Sequence, residues 1–231
     1  MAELTLLNCD CMEYMATLPD KAFDLAIVDP PYGISQSAFR KEPSNKATAP
    51  TDYHNAVYKQ SPPSCEYFDE LRRVSKNQII WGGNYYCQFL RPSCKWIFWD
   101  KCTEDTQWGD GELAATSFTG SIKKFKFAWN GMIQGDMKNK EERIHPTQKP
   151  VKLYEWLLSN YAKPGQRILD THLGSGSHAI AAINMGFDFV GCELDKDYYD
   201  ASLKRIKNAQ RQTSLFEPEP TSKPVNEILF K

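Results

Sequence analysis

The sequence has no long hydrophobic run. None of its 231 residues belongs to a stretch near the roughly eighteen consecutive apolar residues that indicate a membrane-spanning helix. The first seven residues include Glu3, where a secretory signal would have a basic flank and then an apolar run. We therefore expect no membrane segment and a location in the cytoplasm. Apolar residues still make up 41% of the chain, enough for a compact globular core.

Cysteines are few and irregularly spaced. There are seven, whereas the disulfide framework of a small secreted domain uses an even number at regular spacing. The pattern favours reduced thiols. Cys9 and Cys11 are close enough in sequence to suggest one pair of zinc ligands, but no second pair accompanies them, so no metal site is predicted.

The chain also lacks an excess of charge of either sign. Its formal net charge of -1 argues against a protein that coats nucleic acid by bulk electrostatic attraction. Residues 121–152 are a local exception, with eight lysines and arginines against three acidic residues, and with Phe125, Phe127 and Trp129 among them. Basic residues interleaved with aromatic rings suit a surface that binds phosphates and stacks on bases, although a solvated hairpin face would have the same composition.

Apolar runs alternate with amphipathic stretches along the chain, a pattern typical of α/β proteins. Strands are predicted at 4–7, 24–28, 78–81, 95–99, 167–169 and 187–192, and helices at 12–17, 64–74, 84–90, 151–162, 177–185 and 196–209. Segments 112–118 and 123–129 are predicted to pair as an antiparallel hairpin. Residues 1–209 are thus expected to form one domain, and the Pro-, Glu-, Ser- and Thr-rich residues 210–231 a flexible tail.

A glycine-rich turn follows the strand at 167–169. Residues 174–179 read Gly-Ser-Gly-Ser-His-Ala, a G-x-G-x-x-A pattern whose glycines allow a tight turn and close approach of the backbone to a ligand. Glu193 lies nineteen residues after the first glycine, where its carboxylate would accept hydrogen bonds from ribose hydroxyls. The pattern predicts a nucleotide site, which a dinucleotide such as NAD would also fit. Asp170 is placed to pair with the ammonium group of an amino-acid-like ligand.

A second motif, Asp29-Pro30-Pro31-Tyr32, directly follows the strand at 24–28. The prolines hold the backbone rigid and donate no hydrogen bond, so we expect the Pro30 carbonyl to be free to accept one. The Asp29 carboxylate and this carbonyl, beside the flat ring of Tyr32, suit an exocyclic amino group on a planar base. A cis-proline turn with a surface tyrosine is the structural alternative.

Asp29-Pro30-Pro31-Tyr32 resembles the catalytic motif of the amino-group DNA methyltransferases, which methylate adenine N6 or cytosine N4 with S-adenosylmethionine. Because this motif precedes the glycine-rich turn, the chain resembles the beta class of the family, in which the order of the sheet is circularly permuted. The similarity extends to about Lys207 and includes residues 8–11 (NCDC), 81–86 (WGGNYY), 96–101 (WIFWDK), 145–150 (HPTQKP) and 191–195 (GCELD). The chain departs from the family at 170–173, where Asp-Thr-His-Leu replaces the usual Asp-Pro-Phe, whose aromatic residue normally gives the cofactor an apolar wall.

The resemblance implies an α/β fold of the S-adenosylmethionine-dependent methyltransferase type, with a Rossmann-like, doubly wound mixed sheet. It also implies that the target base is flipped out of the duplex, that Tyr32 stacks on it, and that Asp29 and the Pro30 carbonyl accept its N–H bonds. Pro31 would keep this catalytic segment rigid. The methyl group would pass directly to nitrogen, and the chain indeed has no Pro-Cys dipeptide, the nucleophile signature of the cytosine carbon-5 enzymes.

The resemblance further implies which residues bind S-adenosylmethionine. Asp10 and Cys11 would lie near its adenine, Glu193 near its ribose, and Asp170 near its methionine end. The full predicted set is Asp10, Cys11, Asp29, Thr147, Lys149, Asp170, Gly174, Ser175, Gly176 and Glu193. Lys149 could instead cap the following helix or contact a phosphate.

Double-stranded DNA is the implied substrate. The basic residues predicted to contact it are Arg40, Lys41, Lys123, Lys124, Lys126, Lys138, Lys140 and Arg143, within the recognition segments 34–63 and 119–145. These segments are short for a recognition domain. Their length suggests a short or degenerate target sequence, or additional DNA contacts from a second subunit in a homodimer. Sequence specificity would come from side chains of these segments that reach the base edges in the grooves.

Three alternatives to adenine-N6 methylation stay open. Cytosine-N4 enzymes of the family more often have serine in place of Asp29, so the aspartate favours adenine. Protein-glutamine methyltransferases usually have asparagine there and keep the cofactor motif first in the chain. An inactive relative that only binds DNA is disfavoured by the intact catalytic motif and glycine-rich turn.

Gln212, Leu215 and Phe216 stand out in the polar tail. A glutamine followed three and four residues later by leucine and phenylalanine resembles the short peptide with which bacterial DNA enzymes bind the replication sliding clamp. Two large apolar residues in a flexible segment need a surface to pack on. They would either bind the clamp or, together with Leu229 and Phe230, dock on the protein itself.

Overall fold

The computed structural model describes residues 2–33, 61–93, 95–103, 109–130 and 133–214, with side chains up to residue 211. The predicted DNA-contacting residues Arg40 and Lys41 and the tail residues Leu215 and Phe216 lie outside these ranges. None of the described helices is long and apolar enough to cross a membrane.

Within the described ranges, eight strands form one sheet. In chain order they are β1 (Leu4–Asn8), β2 (Phe23–Val28), β3 (Ser75–Trp81), β4 (Trp96–Asp100), β5 (Gly111–Thr116), β6 (Lys123–Lys126), β9 (Arg167–Asp170) and β10 (Asp188–Glu193). The strands β7 (Trp129–Asn130) and β8 (Ile133–Gln134) form a separate short hairpin. Across the sheet their order is β1-β10-β9-β2-β3-β5-β4-β6. β5 is antiparallel to both of its neighbours, and every other adjacent pair is parallel. Seven strands therefore point one way, and β5 points the other way.

The helices of the described chain cover both faces of this sheet. They are α1 (Cys11–Ala16), α2 (Cys65–Val74), α3 (Val151–Tyr161), α4 (Ser177–Met185) and α5 (Lys196–Ser214). α1 and α2 pack on one face through a cluster that includes Met15, Phe68 and Leu71. α3, α4 and α5 contribute to the cluster on the other face, which includes Leu153 and Ile206. The sheet is doubly wound, as predicted.

The helix α2 shows how the sequence pattern produces this packing. Its buried residues Tyr67, Phe68, Leu71 and Val74 recur at helical spacing, so they form one apolar face that lies on the sheet. Burying a side chain of this size stabilises the fold by about 1.5–3 kcal/mol relative to leaving it exposed. The central strand β2 is instead buried on both of its faces, as a strand covered by two helical layers must be.

The α/β class and most predicted elements are confirmed. β1, β2, β4, β9 and β10 agree with their predictions within one residue at each end, as do α1, α2, α3 and α4. β3 begins at Ser75, three residues before the predicted 78. These elements are recognisable in the sequence because their apolar residues recur with the period of a strand or of a helix.

The hairpin predicted between 112–118 and 123–129 is wrong. β5 lies between β3 and β4 and pairs with both of them, whereas β6 pairs in parallel with the far side of β4. The small buried residues Ala114 and Ala115 suit β5 to the interior of the sheet. β6 reads Lys-Lys-Phe-Lys and suits an edge, because exposed lysines discourage pairing with another chain.

Two helix predictions also need correction. Residues 84–90 form only a 3₁₀ turn at Gly83–Tyr85 followed by turns, and the Phe89 carbonyl accepts a hydrogen bond from Arg72. The last helix does not end at the predicted residue 209 but continues to Ser214, because residues 208–214 contain neither proline nor glycine. Helical structure therefore extends five residues into the predicted tail, as far as the turn that contains Gln212.

Candidate active site

The carboxyl ends of the parallel strands meet at one edge of the sheet. Asp29 follows β2, Asp170 ends β9 and Glu193 ends β10, so the parallel pairing brings all three to this edge. β5 runs the other way, so its start, with Glu112, reaches the same edge. Ligands of open α/β sheets bind in the crevice outside these strand ends.

Both carboxylate oxygens of Asp29 have a partner. Oδ1 accepts a hydrogen bond from the Tyr32 hydroxyl at 2.6 Å, and Oδ2 lies 2.5 Å from Lys149 Nζ. Burial raises the pKa of Asp29 above its usual value, and the positive charge of Lys149 works against that rise. The predicted catalytic motif therefore presents a carboxylate that is 15% exposed and that two donors hold in place.

Lys149 lies at the centre of this cluster. Its side chain is 3% exposed, and Nζ lies 2.5 Å from Asp29, 3.0 Å from Glu112 Oε2 and 3.1 Å from the Tyr32 hydroxyl. Burial alone would lower the pKa of Lys149, but the two carboxylates outweigh burial and raise it. The ammonium group thus binds two carboxylates. The sequence predicted a cofactor contact or a helix cap for Lys149 and did not predict these ion pairs.

The sequence predictions missed Glu112 and Lys101. Glu112 accepts from Lys101 through Oε1, and through Oε2 it accepts from Lys149 at 3.0 Å and lies 3.2 Å from the Tyr32 hydroxyl. Burial raises the pKa of Glu112, yet the two lysines outweigh burial and lower it to about 2. With Asp29, the cluster holds two carboxylates and two ammonium groups. The sequence does show a charged residue beside each of these two apolar strands: Lys101 directly follows β4, and Glu112 is near the start of β5. This pattern could have indicated the two residues.

The Pro30 carbonyl is not free, contrary to the prediction. The hydroxyl of the buried Tyr86 lies 2.8 Å from the Pro30 oxygen and 2.5 Å from the Pro31 oxygen. A buried tyrosine hydroxyl needs a hydrogen-bond partner, and these two carbonyls supply one. This contact ties the catalytic segment to the turn after β3. A carbonyl oxygen has a second lone pair, so Pro30 can still accept one further hydrogen bond.

The ring of Tyr32 is packed against the same turn. Tyr85, which is 46% exposed, stacks on it with centroids 5.0 Å apart and planes 19° apart, and Tyr86 meets it edge-on. The backbone of Gly82 approaches the ring so closely that a Cβ would lie 2.2 Å from Tyr32 Cε1. Gly82 also has a φ of +71°, so both its conformation and its neighbour require glycine.

The glycine-rich turn and Glu193 are brought together as predicted. Glu193 Oε2 accepts from the backbone N–H of Gly174 at 2.8 Å, and Oε1 accepts from that of Asp195 at 3.0 Å. Burial raises the pKa of Glu193, and these two hydrogen bonds work against the rise. Each oxygen retains a lone pair that a ligand can use.

Asp170 has a different environment from the one predicted. It is buried, its Oδ1 accepts from the His172 backbone N–H at 3.0 Å, and its Oδ2 lies 3.0 Å from His178 Nδ1. Gly176 is turned toward α5, where a Cβ would meet Ile206. Asp170 and Gly176 therefore organise the turn and do not line the crevice beside it.

Two adjoining cavities form that crevice along the edge of the sheet, and Pro31, His172 and Glu193 line both of them. Of the predicted cofactor residues, those that line it are Asp10, Cys11, Asp29, Thr147, Lys149, Gly174, Ser175 and Glu193. His172 stands where the sequence departs from the usual aromatic residue, and it still presents a ring to the crevice. Burial lowers the pKa of His172 to about 4, so this ring is neutral at pH 7.

The predicted DNA-contacting residues fall into two groups. Those that are exposed are Lys123, Lys124 and Lys126 on β6 and Lys138 and Lys140 in the segment after β8. Arg143 is partly buried instead, with its guanidinium over the Trp129 ring at 4.4 Å from the centroid. Arg143 therefore packs inside the segment that was predicted to face DNA.

Known proteins resemble this chain in sequence and in fold. The family model for DNA methylases of the N6/N4 type matches residues 76–204. The chain is 22% identical over 260 residues to the Type II methyltransferase M2.DpnII of Streptococcus pneumoniae, with 92% of each chain covered. Among solved structures it is similar to the M1.HpyAVI–SAM complex (20% identity, TM-score 0.52, 87% of this chain and 99% of that one) and to the cytosine-N4-specific PvuII DNA methyltransferase (12% identity, TM-score 0.59, 94% of each). The predicted Rossmann-like methyltransferase fold is confirmed.

Replacing Gly82 with alanine is expected to destabilise the protein more than replacing Gly186. Both glycines have a similar φ, +71° and +73°, so the backbone strain of alanine, about 1 kcal/mol, is common to the two variants. The Cβ at 82 meets the Tyr32 ring, whereas nothing lies within 4 Å of a Cβ at 186. Urea unfolding should show a further loss of about 1–3 kcal/mol for Gly82→Ala. Equal losses in the two variants would contradict the contact with Tyr32.

Proposed function

The chain belongs to the N6/N4 DNA methylase family, and we propose that it transfers a methyl group from S-adenosylmethionine to the N6 amino group of adenine in double-stranded DNA. The observation that carries the proposal is the partly buried Asp29 carboxylate, which lies beside Tyr32 in the crevice that Glu193 and the glycine-rich turn also line. Acceptor and nucleotide-binding groups thus share one crevice, as direct transfer between two bound molecules requires.

S-adenosylmethionine is the methyl donor, and the crevice fits it. The lone pairs that Glu193 retains suit the two ribose hydroxyls. Asp10 and Cys11 line the adjoining cavity, which shares Glu193 with the cavity that Asp29 lines. The hydroxyls of Thr147 and Ser175 are polar partners for the amino-acid end near Asp29. When bound, the cofactor supplies an electrophilic methyl group attached to a sulfonium.

Asp29 activates the acceptor nitrogen. An exocyclic amino group is a poor nucleophile, because its lone pair is delocalised into the ring. Hydrogen bonds from this group to the Asp29 carboxylate and to the Pro30 carbonyl favour a more tetrahedral nitrogen and stabilise the positive charge that develops on it. Burial raises the pKa of Asp29, which makes the carboxylate a better acceptor for the proton that nitrogen loses after transfer.

The base has to leave the duplex to reach Asp29. Tyr32 offers a ring for stacking, worth about 1–3 kcal/mol per base. Tyr85 already stacks on Tyr32, so the base takes the remaining face or displaces this half-exposed ring. Either route leaves the Tyr32 hydroxyl close to Asp29.

Asp29 is also the reason for proposing adenine. The sequence resemblance associates aspartate at this position with adenine-N6 enzymes and serine more often with cytosine-N4 enzymes. The family includes both activities, so the methylated base is an outcome of the experiment below.

Purified protein with S-adenosylmethionine and duplex DNA of mixed sequence should yield N6-methyladenine, detected by mass spectrometry of the nucleosides. Asp29→Ala should abolish the product and keep cofactor affinity within about tenfold, because the carboxylate acts on the base. Asp110→Ala, an exposed carboxylate nearby, is the matched control. N4-methylcytosine as product would reassign the base, and near-normal activity of Asp29→Ala would refute the role of Asp29.

Glu193→Gln should raise the dissociation constant for S-adenosylmethionine. The amide replaces one acceptor oxygen by a donor, and a hydrogen bond to a charged acceptor is worth about 1.5–3 kcal/mol, or roughly 10- to 100-fold in affinity. Calorimetric titration measures the change, with Glu66→Gln on the exposed surface of α2 as control. An unchanged constant would mean that Glu193 only supports the turn at Gly174.

The exposed lysines of β6 are proposed to contact the phosphates of DNA. Reversing the charge of Lys123, Lys124 and Lys126 should flatten the dependence of log affinity on log salt concentration by about 0.9 for each phosphate that the protein no longer neutralises. The control reverses three exposed lysines elsewhere, namely Lys163, Lys196 and Lys204. Equal flattening in both triple variants would indicate an effect of net charge and would move the DNA surface away from β6.

Further partners are proposed on the sequence alone. Gln212, Leu215 and Phe216 would bind the replication sliding clamp, and a second copy of the chain would add DNA contacts to the short recognition segments. A DNA substrate agrees with the cytoplasmic location expected from the sequence.

A further inference from the structure

Tyr32 and Lys149, the two groups that bind the Asp29 carboxylate, are both close to a second acceptor, Glu112. Tyr32 donates its hydroxyl to Asp29 Oδ1 at 2.6 Å and lies 3.2 Å from Glu112 Oε2. Lys149 Nζ lies 2.5 Å from Asp29 Oδ2 and 3.0 Å from the same Glu112 oxygen. Both donors are therefore closer to Asp29 than to Glu112, but each is within hydrogen-bond reach of either carboxylate.

Substrate binding would add a further hydrogen-bond donor to the Asp29 carboxylate. If the amino group of the base donates to this carboxylate, it approaches two oxygens that already accept one hydrogen bond each, from Tyr32 and from Lys149, and we expect it to weaken those hydrogen bonds. A buried ammonium or hydroxyl that loses its acceptor pays a large desolvation penalty unless another acceptor is in place. Glu112 is such an acceptor, already aligned with both donors.

The position of Glu112 follows from the direction of its strand. β5 is antiparallel to β3 and β4, so residue 112, near its amino end, lies beside the carboxyl ends of the parallel strands. Glu112 is paired in register with Trp99, and Lys101 follows on the same edge. Lys101 occupies Glu112 Oε1 and leaves Oε2 directed at Lys149 and Tyr32.

We propose that Glu112 is a positioning residue that takes over the hydrogen bonds of Lys149 and Tyr32 when the amino group of the target base binds Asp29. This inference rests on the proposed function, because it assigns the acceptor carboxylate to Asp29. Glu112 does not touch the base itself. It keeps Lys149 and Tyr32 satisfied inside the site while Asp29 is engaged with substrate.

The charges around Glu112 make this role sensitive to pH. The groups that face it are Lys101 from the end of β4, Lys149 from the segment before α3, Tyr154 from α3, and Tyr32 and Asp29 from the segment after β2. Its negative charge raises the pKa of Lys149 and, together with burial, that of Asp29. Removing the charge should therefore lower the pKa of both neighbours.

The test is Glu112→Gln, which keeps the shape of the side chain and removes its charge. Single-turnover methylation of duplex DNA should slow by about tenfold or more, while calorimetry should show cofactor affinity within about threefold of wild type. The acid limb of the rate profile should move to lower pH because Asp29 ionises more easily. The alkaline limb should also move to lower pH because Lys149 loses its proton more easily.

Two further variants make the test specific. Asp110→Asn removes an exposed carboxylate just before the same strand and should leave the rate and both limbs unchanged. Glu112→Asp keeps the charge but shortens the side chain, so the rate should fall while both limbs stay near their wild-type positions. Glu112→Asp also tests the proposal if Glu112→Gln does not fold, since a wild-type rate in this variant would overturn the role of the Oε2 contacts.

Other outcomes separate this inference from the proposed function. Wild-type methylation together with an unchanged rate and profile in Glu112→Gln would overturn the positioning role alone. A slower rate with unmoved limbs and a lower midpoint of urea unfolding would also overturn it, because Glu112 would then act only as a structural counter-ion. No methylated base from the wild-type protein would overturn the proposed function and this inference with it.

Discussion

The ion pair between the buried Lys149 ammonium and the Asp29 carboxylate is the interaction on which the rest of the site depends. A buried charge is costly unless it is paired and hydrogen-bonded, and here Glu112 and Lys101 complete a cluster of two negative and two positive groups. The cluster joins segments far apart in the chain: the end of β2, the adjacent ends of β4 and β5, and the segment before α3. Because these charges compensate one another, their pairing favours one relative arrangement of the three segments.

Strand direction decides which residues can take part in that arrangement. A parallel sheet sends the carboxyl end of every strand to one edge, and this is why Asp29 and Glu193, from opposite ends of the sequence, line one crevice. The reversed strand β5 adds a residue from its amino end, Glu112, to the same edge. A second carboxylate is thus available in the site without a second catalytic motif in the sequence.

The same reasoning separates what the sequence could predict from what it could not. Strand and helix positions follow from local periodicity, and Asp29, Tyr32, Gly174 and Glu193 belong to local motifs, so a single sequence was sufficient to find them. Pairing between strands is not local: the false hairpin, the insertion of β5 between β3 and β4, and the position of Glu112 all depend on it. The hydrogen bond from Tyr86 to Pro30 is non-local in the same way, because it joins residues fifty-six positions apart.

These contacts divide the acceptor site into a fixed part and an exchangeable part. The Tyr86 hydroxyl holds the backbone of the catalytic segment at Pro30 and Pro31, and the close approach of Gly82 limits the position of the Tyr32 ring. The acceptor atoms therefore do not need to be ordered when a base binds. Lys149 and the Tyr32 hydroxyl are different, since each has two carboxylates within reach. A rigid backbone that holds acceptors in place, together with donors that can shift between them, reconciles a buried charge cluster with a site that must admit a polar substrate.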